Sequence, residues 1–121
     1  MFKKGDVYST DTIVGKFGGS KVYSMPIVGG QVPYCKFTPK INPNFESNHE
    51  VWIEEGPILE KGADLLAKAS EKVHVFKKLG TGQWEFLGMF NFKKVHDQAK
   101  LQRINKNPPR KRVACILKLV A

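Results

Sequence analysis

The fold of this chain is decided by the stretch Lys72-Val-His-Val-Phe-Lys-Lys-Leu-Gly-Thr-Gly-Gln-Trp-Glu-Phe-Leu-Gly-Met-Phe90. In its first half, Val73 and Val75 alternate with His74 and Phe76. Successive side chains of an extended chain point to opposite faces, so this alternation with a period of two predicts a β-strand.

The second half of the stretch completes a hairpin. Gly80-Thr-Gly82 supplies the glycines that a tight connection between antiparallel strands needs. The alternation then resumes, which predicts a second long strand. One face of that strand is expected to carry Trp84, Phe86, Gly88 and Phe90, and the other Glu85, Leu87 and Met89. No other part of the chain predicts a hairpin as clearly.

The first residues predict a strand followed by a helix. Val7 and Tyr8 follow a turn signal and indicate a short strand. Residues 9–11 can cap the start of a helix whose apolar face includes Phe17. Gly18-Gly19 then ends this helix, because glycine accepts a positive φ and also lets another backbone or a ligand approach closely.

A second hairpin is expected around Gly29-Gly30, between strands at Val22 to Val28 and Gln31 to Phe37. Pro26 and Pro33 cannot donate to a central ladder. Each should therefore lie at a sheet edge, a bulge or the start of a strand.

The remaining elements follow from local composition. Residues 38–47 predict a surface loop rich in proline and asparagine. His49 to Ile53 predicts a strand, and Ile58 to Ala69 a helix in its second half. Val113 to Val120 is almost unbroken in apolar character, which is typical of a central, buried strand.

These elements amount to six or seven strands and two short helices, with most strands joined by tight turns. The expected fold class is mainly β (α+β), closed into a small, strongly bent barrel. A chain of 121 residues with 41% hydrophobic content can form one core, so we expect residues 1–121 to be a single domain.

The formal net charge of +9 favours a polyanionic partner, with nucleic acid first and an anionic membrane second. The alternative is a protein that is basic without a functional reason. No window approaches the length of a transmembrane helix, and no apolar segment follows the charged first residues. We therefore expect a soluble protein with no membrane partner.

Neither a metal site nor a catalytic site is expected. Cys35 and Cys115 lack the paired spacing of zinc ligands and indicate buried thiols in a reducing, cytoplasmic compartment. The three histidines, His49, His74 and His96, are isolated from one another, and no nucleophile elbow, Walker loop or dinucleotide fingerprint is present. The prediction is a protein that is not an enzyme and needs no cofactor.

A basic run from Lys93 to Arg112 could neutralise successive phosphates. The alternative is a charged loop that contacts only solvent. The candidate phosphate-binding residues are Lys16, Lys21, Lys93, Lys94, Lys100, Arg103, Lys106, Arg110, Lys111 and Arg112.

A base pocket is predicted beside the Gly18-Gly19 corner. A base that has left its stack needs an aromatic wall and a polar group at its edge. Tyr23 is followed by Ser24, and Trp52 lies near Glu54. Either aromatic residue could instead be a packing residue. The candidate pocket residues are Phe17, Gly18, Gly19, Tyr23, Ser24, Trp52 and Glu54.

Six short segments together resemble the SRA-like domain found beside HNH nuclease domains in modification-dependent restriction enzymes. They cover nearly the whole chain. In order they are Gly5-Asp-Val-Tyr8, Lys16-Phe-Gly-Gly19, Val51-Trp-Ile-Glu-Glu-Gly56, Val73-His-Val-Phe76, Trp84-Glu-Phe-Leu-Gly88 and Arg112-Val-Ala-Cys-Ile-Leu-Lys-Leu119.

The resemblance implies a PUA-like curved barrel that recognises modified cytosine in double-stranded DNA by flipping the base. It implies no catalysis, because cleavage in such enzymes belongs to the HNH domain, and it suggests a nuclease as a partner. The chain departs from the family pattern at Ser20 to Met25 and at Trp52 to Pro57, where ligand specificity would be set. An RNA-binding PUA-like module and a protein-interaction adaptor remain alternatives.

Overall fold

The computed structural model describes residues 2–42, 45–96 and 113–121, and these contain six strands and three α-helices. In chain order the elements are β1 (Val7–Ser9), α1 (Thr10–Phe17), β2 (Tyr34–Phe37), a 3-10 turn (Pro39–Ile41), α2 (Phe45–Asn48), β3 (Glu50–Glu54), α3 (Pro57–Lys68), β4 (Val73–Gly80), β5 (Gln83–His96) and β6 (Val113–Val120).

The long strand β5 organises the sheet. It pairs antiparallel with β4 and β1 through its first part and with β6 through its second part. The strand order is β2-β4-β5-β6-β3, with β1 also on β5. The class is therefore a mixed α+β domain dominated by one six-stranded sheet, with one α-helix more than the two expected. The apolar strand β6 lies inside the sheet, as predicted.

The hairpin of β4 and β5 is confirmed, but one face assignment is wrong. Val75 is paired with Gly88 and Phe76 with Phe86, so Leu87 is an extra residue in β5. Such a bulge changes the face to which the following side chains point. Phe86 and Phe90 consequently pack in different clusters, although strict alternation placed them on one face.

The two larger packed clusters among the described residues lie on opposite faces of the sheet, and a third, small one forms around Ile116 with Trp52 and Val95. The largest one lies against α3 and takes Val73 and Val75 from β4. The second lies under α1 and is mainly aromatic, with Ile13, Tyr34 and Phe76 fully buried. Because β2 and β4 are extended, alternate residues of each strand contribute to opposite clusters.

The predicted strand over Val22 to Val28 is wrong. Only an isolated bridge between Val28 and Gln31 forms at the Gly29-Gly30 turn, and β2 begins later, at Tyr34. Strand β2 pairs parallel with β4 instead of forming a hairpin with the segment Val22 to Val28. Pro26 and Pro33 account for this, since neither has a backbone N–H to donate to a ladder.

The N-terminal elements follow the prediction. The Ser9 hydroxyl accepts a hydrogen bond from the Thr12 backbone N–H at 3.1 Å, which caps α1. Gly18, with φ of +83°, ends the helix. The expected loop at residues 38–47 instead holds the 3-10 turn and the start of α2. Within the described ranges, no helix has the length and apolar character needed to cross a membrane.

Candidate functional site

The residues of the predicted base pocket do not form one site. Three of them, Ser24, Trp52 and Glu54, line a small cavity of about 90 Å³. This cavity lies between the two edge strands of the sheet, since Phe37 of β2 and Ile53 of β3 line it as well.

A side chain links the two edges at this cavity. Asn42 is 5% exposed, and its Nδ2 donates to the Thr38 carbonyl at 2.8 Å. Its Oδ1 accepts from the Trp52 backbone N–H at 2.7 Å. No ladder pairs β2 with β3 in the part of the chain that the structure describes. The side-chain amide of Asn42 thus bridges the gap between the edges formed by β2 and β3.

The small cavity is too small for a base in this conformation. An engineered protein cavity of about 150 Å³ accommodates benzene, and a cytosine ring with its substituents is larger than benzene. The indole N–H of Trp52 is buried and has no hydrogen-bond partner among the described residues. The cavity thus brings Ser24, Trp52 and Glu54 together but has no room for a base.

A second and much larger cavity, here called the groove, contains another predicted residue. It has a volume of about 750 Å³ and is lined by Phe17 at the end of α1, Gln31 to Pro33, Lys68 at the end of α3, Lys72, and His74 with Met89 on the sheet. Ligand pockets generally have volumes of roughly 300–1,000 Å³. The groove is therefore large enough for a nucleotide.

Stacked and edge-on rings build one wall of the groove. The ring of Phe17 stacks on Tyr34, with centroids 5.0 Å apart and an interplanar angle of 28°. His74 meets Phe17 edge-on at 4.9 Å. Both Phe17 and His74 line the groove, whereas Tyr34 is fully buried behind them. Packing from behind holds the two half-buried rings of Phe17 and His74 in place.

The imidazole of His74 is half-buried between aromatic rings. Phe2 lies 5.9 Å from it and Phe86 5.4 Å, measured between ring centroids. Burial lowers the pKa of His74, and the nearby Lys16 ammonium lowers it further. The neutral imidazole is therefore favoured at neutral pH.

The rim of the groove is positively charged. Lys68 and Lys72 are exposed lining residues, and Glu71 between them is the acidic one. Lys16, also exposed, is close enough to act on His74. An anionic group next to the aromatic wall would be attracted by this excess of cations.

The other predicted pocket residues lie elsewhere. Tyr23 is 41% exposed and lines neither cavity. Gly19 packs so closely that a Cβ there would lie 2.9 Å from Cβ of Pro26, and Gly18 faces Val28. The Gly18-Gly19 corner thus admits side chains of the chain itself, Pro26 and Val28, where the glycine pair predicted the approach of a backbone or a ligand.

The predicted phosphate-binding residues have different surroundings. Lys16 and Lys93 are exposed. Lys21 forms an ion pair with Asp11 at 2.6 Å, and Lys94 pairs with Asp64 of α3. Lys100, Arg103, Lys106, Arg110, Lys111 and Arg112 lie outside the described residues.

Sequence reasoning missed the groove residues Lys68, Lys72 and His74. Alternation along β4 placed His74 on the face opposite Val73 and Val75, but an isolated histidine gives no further signal. The lysines are single charges at a helix end and in a turn, so only the fold brings them together.

A buried lysine was also missed. Lys36 is 3% exposed, and its Nζ donates to the Lys21 carbonyl at 2.9 Å. The same ammonium lies 5.2 Å from the centroid of the Trp84 ring, a cation–π distance. Burial lowers the pKa of Lys36. The contact with Lys21 holds the loop after the Gly18-Gly19 corner against the sheet.

No family model, curated protein or solved structure matches this chain. Among the described residues, no group of His, Cys, Asp and Glu side chains could hold a metal ion.

Proposed function

We propose that this chain is a non-enzymatic nucleic-acid-binding module that accepts one unstacked base in the groove. The observation that carries the proposal is the combination, in one cavity, of an aromatic wall formed by Phe17 and His74 with the cations of Lys68 and Lys72. A base outside its stack needs a ring surface, and the phosphates beside it need positive charge.

The charge of the whole chain supports a polyanionic ligand. A formal net charge of +9 draws nucleic acid to the surface and makes binding dependent on salt. The exposed residues Lys16 and Lys93 add to this attraction, as do the six basic residues of the segment 100–112. Phosphate contacts position a strand, and the groove would then distinguish its bases.

We further propose that the preferred ligand is double-stranded DNA containing modified cytosine, and that the fold is an SRA-like curved barrel. The sequence segments that resemble this family support the ligand. The cavity shared by β2 and β3, with Asn42 across it, supports the barrel because it brings the two edges of the sheet close together. A nuclease is the partner that this role suggests.

Equilibrium binding tests the proposal directly. Duplexes with and without one modified cytosine, single-stranded DNA and structured RNA are titrated with the full chain at low and moderate salt. We expect the modified duplex to bind most tightly. Equal affinity for both duplexes would remove the modified-base proposal, tighter binding of RNA would favour an RNA-binding module, and no binding at low salt would leave a protein partner as the alternative.

Paired lysine variants locate the interface. Lys61 and Lys68 are both exposed lysines of α3, but only Lys68 lines the groove. Lys68→Ala is expected to weaken binding and to reduce the slope of log affinity against log salt concentration by about one. Lys61→Ala is the matched control. Equal effects of the two variants would place the nucleic acid away from the groove.

A further inference from the structure

We propose that His74 accepts a hydrogen bond from the exocyclic amino group of the base in the groove, which makes the groove select cytosine-type bases over uracil and thymine. This inference rests on the proposed function, because it names the group that recognises the bound base. It concerns the edge of the base, whereas Phe17 contacts its face.

The position of His74 is the first reason. It lines the groove, and its ring contacts Phe2, Phe17 and Phe86. Among the residues described, none forms a hydrogen bond with its imidazole nitrogens. A polar ring that is half-buried among phenyl rings and has no protein partner is available to a ligand.

The chemistry of the neutral ring is the second reason. A neutral imidazole has one acceptor nitrogen, and an imidazolium has none. Lys68 and Lys72 on the rim can only donate hydrogen bonds, whereas Glu71, Gln31 and Ser70 also line the groove and can accept them. Of the two rings that form the aromatic wall, Phe17 and His74, His74 is the one with an acceptor nitrogen. Cytosine carries an amino group at the position where uracil and thymine carry a carbonyl oxygen.

The surroundings of His74 determine how pH acts on it. Titratable groups on the neighbouring elements are Lys16 of α1, Tyr34 of β2, Lys68 of α3, and Glu71 with Lys72 before β4. From β5 and the N-terminal segment come Phe86, Met89 and Phe2, which do not titrate. Among these groups His74 is the one of the residue type whose ordinary pKa lies nearest neutrality, and burial lowers the pKa of its ring.

The test compares two single strands that differ at one base. Each strand carries one nucleotide flanked by abasic sites, either cytidine or uridine, and its affinity for the full chain is measured at pH 7.5 and at successively lower pH. At pH 7.5 the cytidine strand is expected to bind roughly five- to tenfold more tightly. As pH falls through the pKa of His74 this ratio should approach one, because protonation removes the acceptor while the added charge attracts both strands equally.

Histidine variants show whether the preference for the cytidine strand comes from His74. His74→Phe keeps an aromatic ring in the cluster and removes the acceptor, so the ratio should be close to one at every pH. His49 is exposed and has a positive φ of 56°, so His49→Asn is a tolerated control that should keep the wild-type ratio. His96→Gln is the control for the third histidine.

A direct titration keeps the inference testable if His74→Phe does not fold. The pKa of the His74 ring is followed by NMR in the complexes with the cytidine strand and with the uridine strand. The phosphates act alike in both complexes, so a cytosine that needs the neutral ring must give the lower pKa. A pKa that is equal or higher in the cytidine complex, or equal affinity for the two strands at pH 7.5, would overturn the inference. Failure of both strands to bind at low salt would instead overturn the proposed function.

Discussion

The side-chain oxygen of Asn42 lies 2.7 Å from the backbone nitrogen of Trp52 and joins the turn after β2 to the opposite edge of the sheet. Asn42→Ala would leave the Trp52 N–H without this partner in a partly buried site, while the Thr38 carbonyl would keep its hydrogen bond from the Ile41 N–H at 3.2 Å. We expect a loss of about 1–3 kcal/mol in the free energy of unfolding, measured by urea denaturation. Asn48→Ala, at an exposed position of α2, should cost much less. Equal costs would mean that the bridge contributes nothing.

A comparison of Gly19 with Gly5 distinguishes the stability cost of backbone strain from that of close packing. Both have a positive φ, +86° and +92°, but only at Gly19 would a Cβ meet a neighbour, Pro26, at 2.9 Å. Gly5→Ala is expected to cost about 1–2 kcal/mol through φ alone. Gly19→Ala should cost more, because the segment at Pro26 must shift. Thermal unfolding of the two variants measures the difference, and an equal loss would contradict the close approach.

Lys36 should give the stability a specific pH dependence. Its pKa is lower in the folded protein than the value of 10.5 assigned to free lysine, so the unfolded chain binds more protons between these two values. Stability contributed by this group therefore rises as pH increases through that window. Lys36→Met removes the buried charge and should be neutral or stabilising at pH 7.

The wild-type protein should then gain stability relative to Lys36→Met between pH 7 and pH 10, as measured by urea denaturation at each pH. Lys40→Met, at an exposed site, is the control for loss of one positive charge. A constant difference between wild type and Lys36→Met over this range would show that burial does not perturb the amine.

The ion pair of Lys94 with Asp64 is expected to contribute little. A hydrogen bond from Lys94 lowers the pKa of Asp64, but the carboxylate side chain is 52% exposed and solvent weakens the interaction. Asp64→Asn should cost less than about 1 kcal/mol at pH 7. Because the carboxyl pKa is depressed, this stability is present above the unfolded pKa and lost as pH falls through the folded one.

Denaturation at pH 7 and at successively lower pH measures this loss, and added salt should reduce the effect at pH 7. Asp6→Asn, at an exposed position with no ion pair to a described residue, is the control. An effect of Asp64→Asn that depends neither on pH nor on salt would point to packing instead of charge.

Local patterns predicted the elements that depend on neighbours in sequence. Ser9 as a cap, Gly18 as a helix end and the Gly80 to Gly82 turn all act within a few residues, so composition was sufficient. The apolar run of β6 likewise identified an interior strand. Leu87 illustrates the limit, because a bulge depends on which residues the partner strand places opposite, and alternation carries no such information.

The candidate site was harder to predict, because it too depends on which residues distant in sequence the fold brings together. Ser24, Trp52 and Glu54 do meet, yet the space between them depends on how two sheet edges approach. Phe17 belongs to the groove because α1 packs on the aromatic cluster and its last residue lies against His74. Lys68 and His74 become neighbours of Phe17 only through the chain reversal before β4.

The position of β6 also has a consequence for how the chain folds during synthesis. β6 lies between β5 and β3, and Val51 of β3 faces Leu117 across the ladder. A growing chain that has not yet released residues 113–120 from the ribosome cannot pair β3, and its apolar residues stay exposed. Contacts this distant in sequence also form slowly. Folding of this sheet should therefore be completed only after residues 113–120 have left the ribosome, and until then the nascent chain is vulnerable to aggregation.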